Sequence, residues 1–205
     1  AMAGVEKGLK LFVDAGLSSR AEADSVLARI RPTSDLPDAV RKTSLALQRP
    51  LARQLAKVEK AIEELCTSDP VLQNQVELLC TIPGIAQRSA TRILAYGKSA
   101  LTEYSARSLV AHAGLAPRQH QSGTSIHGKS YIAKQGNKHL RHALYMPALV
   151  GITHNPIIKL HYQRLLENHK PKMVALVACM RKLLLIARAI LVTQKPFNPE
   201  LIPLT

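Results

Sequence analysis

Ser122 stands in the run Arg118-Gln119-His120-Gln121-Ser122-Gly123-Thr124, a polar and basic stretch with no acidic residue. A serine hydroxyl becomes an effective nucleophile only when its proton is removed and the charge growing on its target is neutralised. Arg118, Lys129, Lys134, Lys138 and Arg141 lie close enough in sequence to surround a scissile phosphate and offset the charge of its transition state. Such surroundings suit phosphoryl transfer. They do not suit acyl transfer, because there is no G-x-S-x-G elbow and no nearby carboxylate to orient a histidine. A serine beside glycine is also a common turn residue that hydrogen-bonds its own backbone, so the local pattern alone leaves both roles open.

Other residue groups point to the same class of ligand. The turn Thr81-Ile82-Pro83-Gly84-Ile85 joins two short helical patterns, and backbone N–H groups at such a turn, Gly84 included, are of the kind that meets a phosphate. Lys170, Lys172, Arg181 and Lys182 form a second basic group around the start of the last helix, readable as backbone contacts to nucleic acid or as a solvated face. His139 and His142 are one helical turn apart, with His120 and His127 upstream. Zinc wants three or four ligands in closed spacing, and no cysteine or acid joins these histidines, so no metal site is expected within this chain. They read instead as hydrogen-bonding or titrating groups at a phosphate surface.

Charge placement supports a polyanionic partner. Of the formal net charge of +14, residues 104–205 carry +12, with fourteen Lys or Arg against Glu167 and Glu200, and all eight histidines fall there too. Segment 104–166 has no acid at all. Phosphates neutralised by such a surface release condensed counterions, which drives binding and makes it salt-dependent. Aromatic residues are only 3% of the chain and Trp is absent, which argues against modules that stack single-stranded bases on exposed rings. Cys66, Cys80 and Cys179 are odd in number and widely spaced, as expected of reduced, buried thiols in a cytoplasmic protein. The longest apolar stretch, near 183–192, is broken by Arg188 and too short to cross a membrane.

These residues need a scaffold, and the scaffold reads as mainly α-helical. Residues 4–30 show a helical period, and 32–37 have the composition of a linker. Leu51, Leu55, Val58, Ile62 and Leu65 then recur at alternating steps of four and three, a coiled-coil seam or one face of an ordinary bundle helix. Asp69 and Pro70 start a further helix, which the Pro83-Gly84 turn links to one near 87–96 in a helix-hairpin-helix unit. Between 114 and 136 the helical period disappears. There Thr124-Ser125-Ile126 and Lys129-Ser130-Tyr131-Ile132 flank His127-Gly128, the expected turn of a small β-hairpin. Helices near 138–152, with Pro147 as a kink, 157–167 and 174–193 follow. The expected order is 1–37, a separate N-terminal piece and linker; 38–80, a long helical hairpin or coiled coil; and 81–205, a compact helical domain with the β-hairpin inserted.

An ordered series of motifs adds a resemblance to these readings. Thr81-Ile82-Pro83-Gly84-Ile85, Gly114-Leu115-Ala116-Pro117, Gln121-Ser122-Gly123, Lys134-Gln135-Gly136-Asn137, Leu140-Arg141, Leu144-Tyr145-Met146 and Ala178-Cys179-Met180-Arg181-Lys182-Leu183 closely resemble the C-terminal transposase domain of the DEDD-type insertion-sequence transposases. That family includes Piv-like DNA invertases and bridge-RNA-guided serine recombinases, and the resemblance spans about 49–199. It implies a two-part enzyme: a resolvase-like domain supplies four carboxylates for Mg²⁺, and the C-terminal domain supplies a serine that becomes covalently attached to DNA. Ser122 falls on that serine, and the expected partners are DNA, a guide (bridge) RNA and further copies of the chain. The departures are specific. The family's acidic signature would fall near Arg20-Ala21-Glu22-Ala23-Asp24, where Glu22 and Asp24 have altered spacing, so 1–37 reads as a remnant of, or replacement for, the metal-binding domain. The isolated chain is therefore expected to be inactive. Ala86 follows the Pro-Gly-Ile turn where glycine is usual, and His169 stands where the family often has glycine.

Overall fold

The computed structural model describes residues 10, 38–118, 121–122, 126–127, 131–133 and 135–201, with some side chains in 38–49, at 121–122, at 126–127 and at 201 excepted. The expectations for 4–30 and for the origin of 1–37 lie outside the described residues. The chain divides into two compact units, residues 1–73 and 74–205.

In the first unit α1 (Asp38–Ser68) is a single long helix that runs through Pro50. Proline has no N–H to donate to the carbonyl four residues back, a cost the helix absorbs without ending. The seam residues Leu51, Leu55, Val58, Ile62 and Leu65 are all exposed, between 42% and 67%. Asp69 caps the next helix, α2 (Pro70–Cys80), accepting from the N–H groups of Val71 and Leu72 at 2.9 and 3.3 Å.

In the second unit the Pro-Gly turn closes with the Ile85 N–H donating to the Ile82 carbonyl at 3.0 Å, and both isoleucines are buried beneath it. The turn leads to α3 (Gln87–Gly97), then to two short helices that the periodicity did not announce, α4 (Ala100–Glu103) and α5 (Ala106–His112). After the β-ribbon come α6 (Lys138–His154), α7 (Pro156–Glu167) and α8 (Lys172–Thr193), with a 3-10 turn at Pro199–Leu201. The last helix is the core of this unit. It buries Leu176, Cys179, Met180, Leu183, Leu184, Ala187 and Ile190 and packs against α4, α5, α6 and α7. Each leucine fully buried there contributes about 2 kcal/mol of transfer free energy.

Two features, a close-packed glycine and a buried asparagine, lock the Pro-Gly turn to this core. Gly84 has φ +105°, and a Cβ on it would meet the Pro147 carbonyl at 2.9 Å and the Gly151 nitrogen at 3.0 Å. Only glycine lets the turn lie so close to the α6 backbone. Asn155, fully buried, accepts from the N–H groups of Ile157 and Ile158 at the start of α7 and donates to the Pro83 carbonyl at 3.4 Å. Of the cysteines, Cys66 and Cys179 are buried as expected, but Cys80 is exposed at the end of α2. Burial pushes the Cys179 thiol up to about 12.

Candidate functional site

Ser122 lies in a β-ribbon between α5 and α6, built of four two-residue strands. At the foot, β1 (Pro117–Arg118) pairs antiparallel with β4 (Tyr131–Ile132), Pro117 opposite Ile132 and Arg118 opposite Tyr131. Farther out, β2 (Gln121–Ser122) pairs with β3 (Ile126–His127), Gln121 opposite His127 and Ser122 opposite Ile126. The expected turn at His127-Gly128 is therefore corrected: His127 is a strand residue, and the chain reverses between Ser122 and Ile126. The reason lies at the foot. The Ala133 N–H donates to the Ala116 carbonyl at 2.9 Å, in register with the Pro117–Ile132 and Arg118–Tyr131 pairs, and that register is incompatible with a turn at 127–128. A turn at 127–128 would set Pro117 opposite Lys138, which is already the first residue of α6.

The foot is tied to two helices by the residues of the Lys134-Gln135-Gly136-Asn137 motif. The Asn137 N–H donates to the His112 carbonyl at 2.7 Å. Its side chain caps α6, accepting from the N–H groups of His139 and Leu140, and donates to the Tyr96 carbonyl of α3 at 2.8 Å. Gly136, at φ +127°, comes so near the end of α5 that a Cβ would collide with the His112 carbonyl oxygen. One asparagine thus fixes three elements at the base of the ribbon.

The basic residues divide into separate groups. Arg118 is exposed on β1, and Lys138 is exposed at the first position of α6. Arg141 is half-buried and donates from Nη1 to the Ala113 carbonyl at 3.2 Å, so it holds the chain just before the ribbon. Lys129 and Lys134 lie outside the described residues, as does the Ser122 side chain. Lys170, Lys172 and Arg181 are all exposed. Nine residues of helix make about two and a half turns, so Lys172 and Arg181 occupy opposite faces of α8 and cannot form one patch. Gly84 is explained by its packing on α6. His161 on α7 is held below the ordinary imidazole value by burial, then by Lys182 and Arg164.

Among the described residues, no three His, Cys, Asp or Glu come together in a way that could hold a metal ion. Segment 104–166 offers none of the carboxylates that Mg²⁺ prefers, so the residues around the ribbon do not fit that ion. No helix among the described residues is long and apolar enough to cross a membrane. Sequence reasoning singled out Lys138 but missed Arg92 and Tyr96, which α3 brings beside it; they lie more than forty residues earlier, and only the packing of α3 on α6 joins them.

Residues 76–163 match the model of the transposase IS116/IS110/IS902 family. The pilin gene-inverting protein of Moraxella bovis is 36% identical over 148 residues, which is 72% of this chain and 46% of that protein. Its counterpart in Moraxella lacunata matches equally. An insertion element IS110 protein of 43.6 kDa from Streptomyces coelicolor is 30% identical over 114 residues, 56% of this chain and 28% of that protein. The chain spans about half the length of the pilin gene-inverting proteins. The match begins in α2, takes in the Pro-Gly turn, the ribbon and the cap of α6, and ends within α7: residues 76–163 are a transposase domain of the IS116/IS110/IS902 family.

Proposed function

We propose that this chain is the strand-joining part of a DNA recombinase, with Ser122 as the nucleophile. The Ser122 hydroxyl gives up its proton and its oxygen bonds to the phosphorus of a DNA phosphodiester. The bond from that phosphorus to the leaving strand's sugar oxygen breaks, and that oxygen takes up a proton. The hydroxyl of a second DNA end then attacks the phosphoserine, which restores the diester and frees the serine. Arg118, with Lys129 and Lys134, supplies positive charge to the phosphate oxygens, where charge grows in the transition state, while Lys138 grips the DNA backbone beside them. Arg141 positions the ribbon from behind.

The observation that carries this reading is the position of Ser122: it pairs with Ile126 at the far part of a ribbon whose foot is fastened to α3, α5 and α6, inside the segment that matches a transposase family. A nucleophile for a phosphate on a bulky duplex must project from its domain while its base stays rigid. In this reading Mg²⁺ and its carboxylates belong to the rest of the enzyme, and a guide RNA selects the target, as in the bridge-RNA-guided members that the sequence resembles. The pilin gene-inverting relatives support DNA inversion as the kind of outcome.

The exposed seam of α1 favours a role in assembly alongside the chemistry. Five apolar side chains in a heptad pattern gain most by packing against the same seam of a second copy, and joining two DNA ends calls for more than one protomer. Recombination by the full-length enzyme tests the whole reading. Ser122→Ala should abolish joining and leave duplex binding unchanged, while the 205-residue chain by itself should bind duplex without nicking it in Mg²⁺. Joining by the alanine variant would overturn the assignment.

A further inference from the structure

A cavity of about 480 Å³ opens between α3 and α6, lined by Arg92, Tyr96, Lys138, His139, His142 and Ala143. Its charged lining comes from two helices separated in sequence, and it contains no carboxylate. Arg92, Lys138 and His142 are exposed, and their side chains make no hydrogen bond or ion pair with the described residues. The charges of Arg92 and Lys138 therefore meet no partner among the described residues. Elsewhere the domain does tie its polar side chains down, as with Arg141 on the Ala113 carbonyl and Arg188 on the Tyr104 carbonyl at 2.8 Å.

The walls are held in place before any ligand arrives. The Tyr96 ring stacks on His139 with centroids 5.2 Å apart and planes 26° from parallel. The Asn137 side chain, bonded to the Tyr96 carbonyl, fixes the end of α3 against the start of α6. That start of a seventeen-residue helix adds the positive end of its dipole to the side-chain charges. Lys138 follows Asn137 directly, so the cavity sits beside the foot of the Ser122 ribbon.

We propose that this cavity is a docking site for a backbone phosphodiester of duplex DNA, with Arg92 and Lys138 neutralising the phosphate and His142 donating to it. The proposal rests on the DNA reading above and names where the duplex is gripped away from the reacting serine. A rigid pocket that holds one phosphate beside the ribbon sets the register in which another phosphate reaches Ser122. Duplex is favoured over single strands because Tyr96, the one Phe, Tyr or Trp in the lining, already has a ring face stacked on His139, which leaves little platform for unpaired bases.

The test is the salt dependence of binding, measured by fluorescence anisotropy of a labelled duplex with the 205-residue chain over a NaCl series. Removing one cationic side chain that neutralises a phosphate should lower the slope of log K against log salt by about 0.9. Arg92→Ala with Lys138→Ala should thus flatten the slope by about 1.8 and weaken binding roughly tenfold or more at low salt. The pair Arg92→Gln with Lys138→Gln, of similar side-chain length, should do the same. The pair Lys159→Ala with Lys195→Ala removes the same charge from exposed positions outside the cavity and should change the slope by less. A pocket variant that matches wild type, or matches this control pair, would overturn the pocket while the DNA reading stands. So would a weakening confined to RNA of the same length. A wild-type chain that binds no duplex would overturn the DNA reading, and the pocket with it.

Discussion

His169 and Gly136 meet the same backbone demand with opposite chemistry. Both have positive φ, +55° for His169 and +127° for Gly136. His169 ends α7, where its N–H donates to the Leu166 carbonyl and the Lys170 N–H to the Leu165 carbonyl, a left-handed helix end that favours glycine. A side chain in that conformation costs about 1–2 kcal/mol, of which glycine returns part through its freer unfolded chain. His169→Gly should therefore stabilise the domain by about 0.5–1 kcal/mol and raise Tm by about 1–4 °C. Gly136→Ala should do the reverse, because its Cβ would collide with the His112 carbonyl and press on the Ala111 carbonyl at 2.9 Å, and a destabilisation of about 2–4 kcal/mol is expected. Thermal melts of the two variants check the pair, and a lower Tm for His169→Gly would contradict it. The sequence marked His169 as unusual; the physical reason, a left-handed helix end, appears only in the backbone.

At the scale of elements, periodicity is readable wherever a helix buries one face over several turns. The helices near 138, 157 and 174 start within about two residues of where the pattern places them, because α6, α7 and α8 each lay an apolar set against the core. Short α4 and α5, of four and seven residues, offer too few turns for a period to show. The ribbon is recognisable as a hairpin but its centre is not, since Gly123 and Gly128 are both competent turn residues and the Ala116–Ala133 pairing decides between them. For α1 the seam is legible, and its partner is a matter for solution measurement. Leu55→Glu together with Ile62→Glu places charge on two exposed seam positions and should turn a concentration-dependent dimer into monomer in sedimentation equilibrium. A wild-type chain that stays monomeric at high concentration, or a dimer indifferent to both charges, would contradict the seam's role.

Across the whole molecule, charge and chemistry are legible in the sequence because both are carried by residue type: +12 of the +14 lies in residues 104–205, around a serine with no acid near it. The grouping of the basic residues is not legible. Arg141 turns inward to hold the ribbon's foot, Lys172 and Arg181 face apart on α8, and Arg92 joins Lys138 across two helices, each a result of packing that no local spacing records. The covalent bond between Ser122 and DNA is tested most directly by trapping it. The full-length enzyme is incubated with a nicked duplex that strands the intermediate, and the denatured adduct is digested with trypsin and sequenced by mass spectrometry. The expected result is a nucleotide on peptide 119–129, located on Ser122 rather than on Thr124 or Ser125, and no adduct from Ser122→Ala although that variant still binds the duplex. An adduct that persists in Ser122→Ala, or that maps to any other residue of the wild-type enzyme, would contradict it.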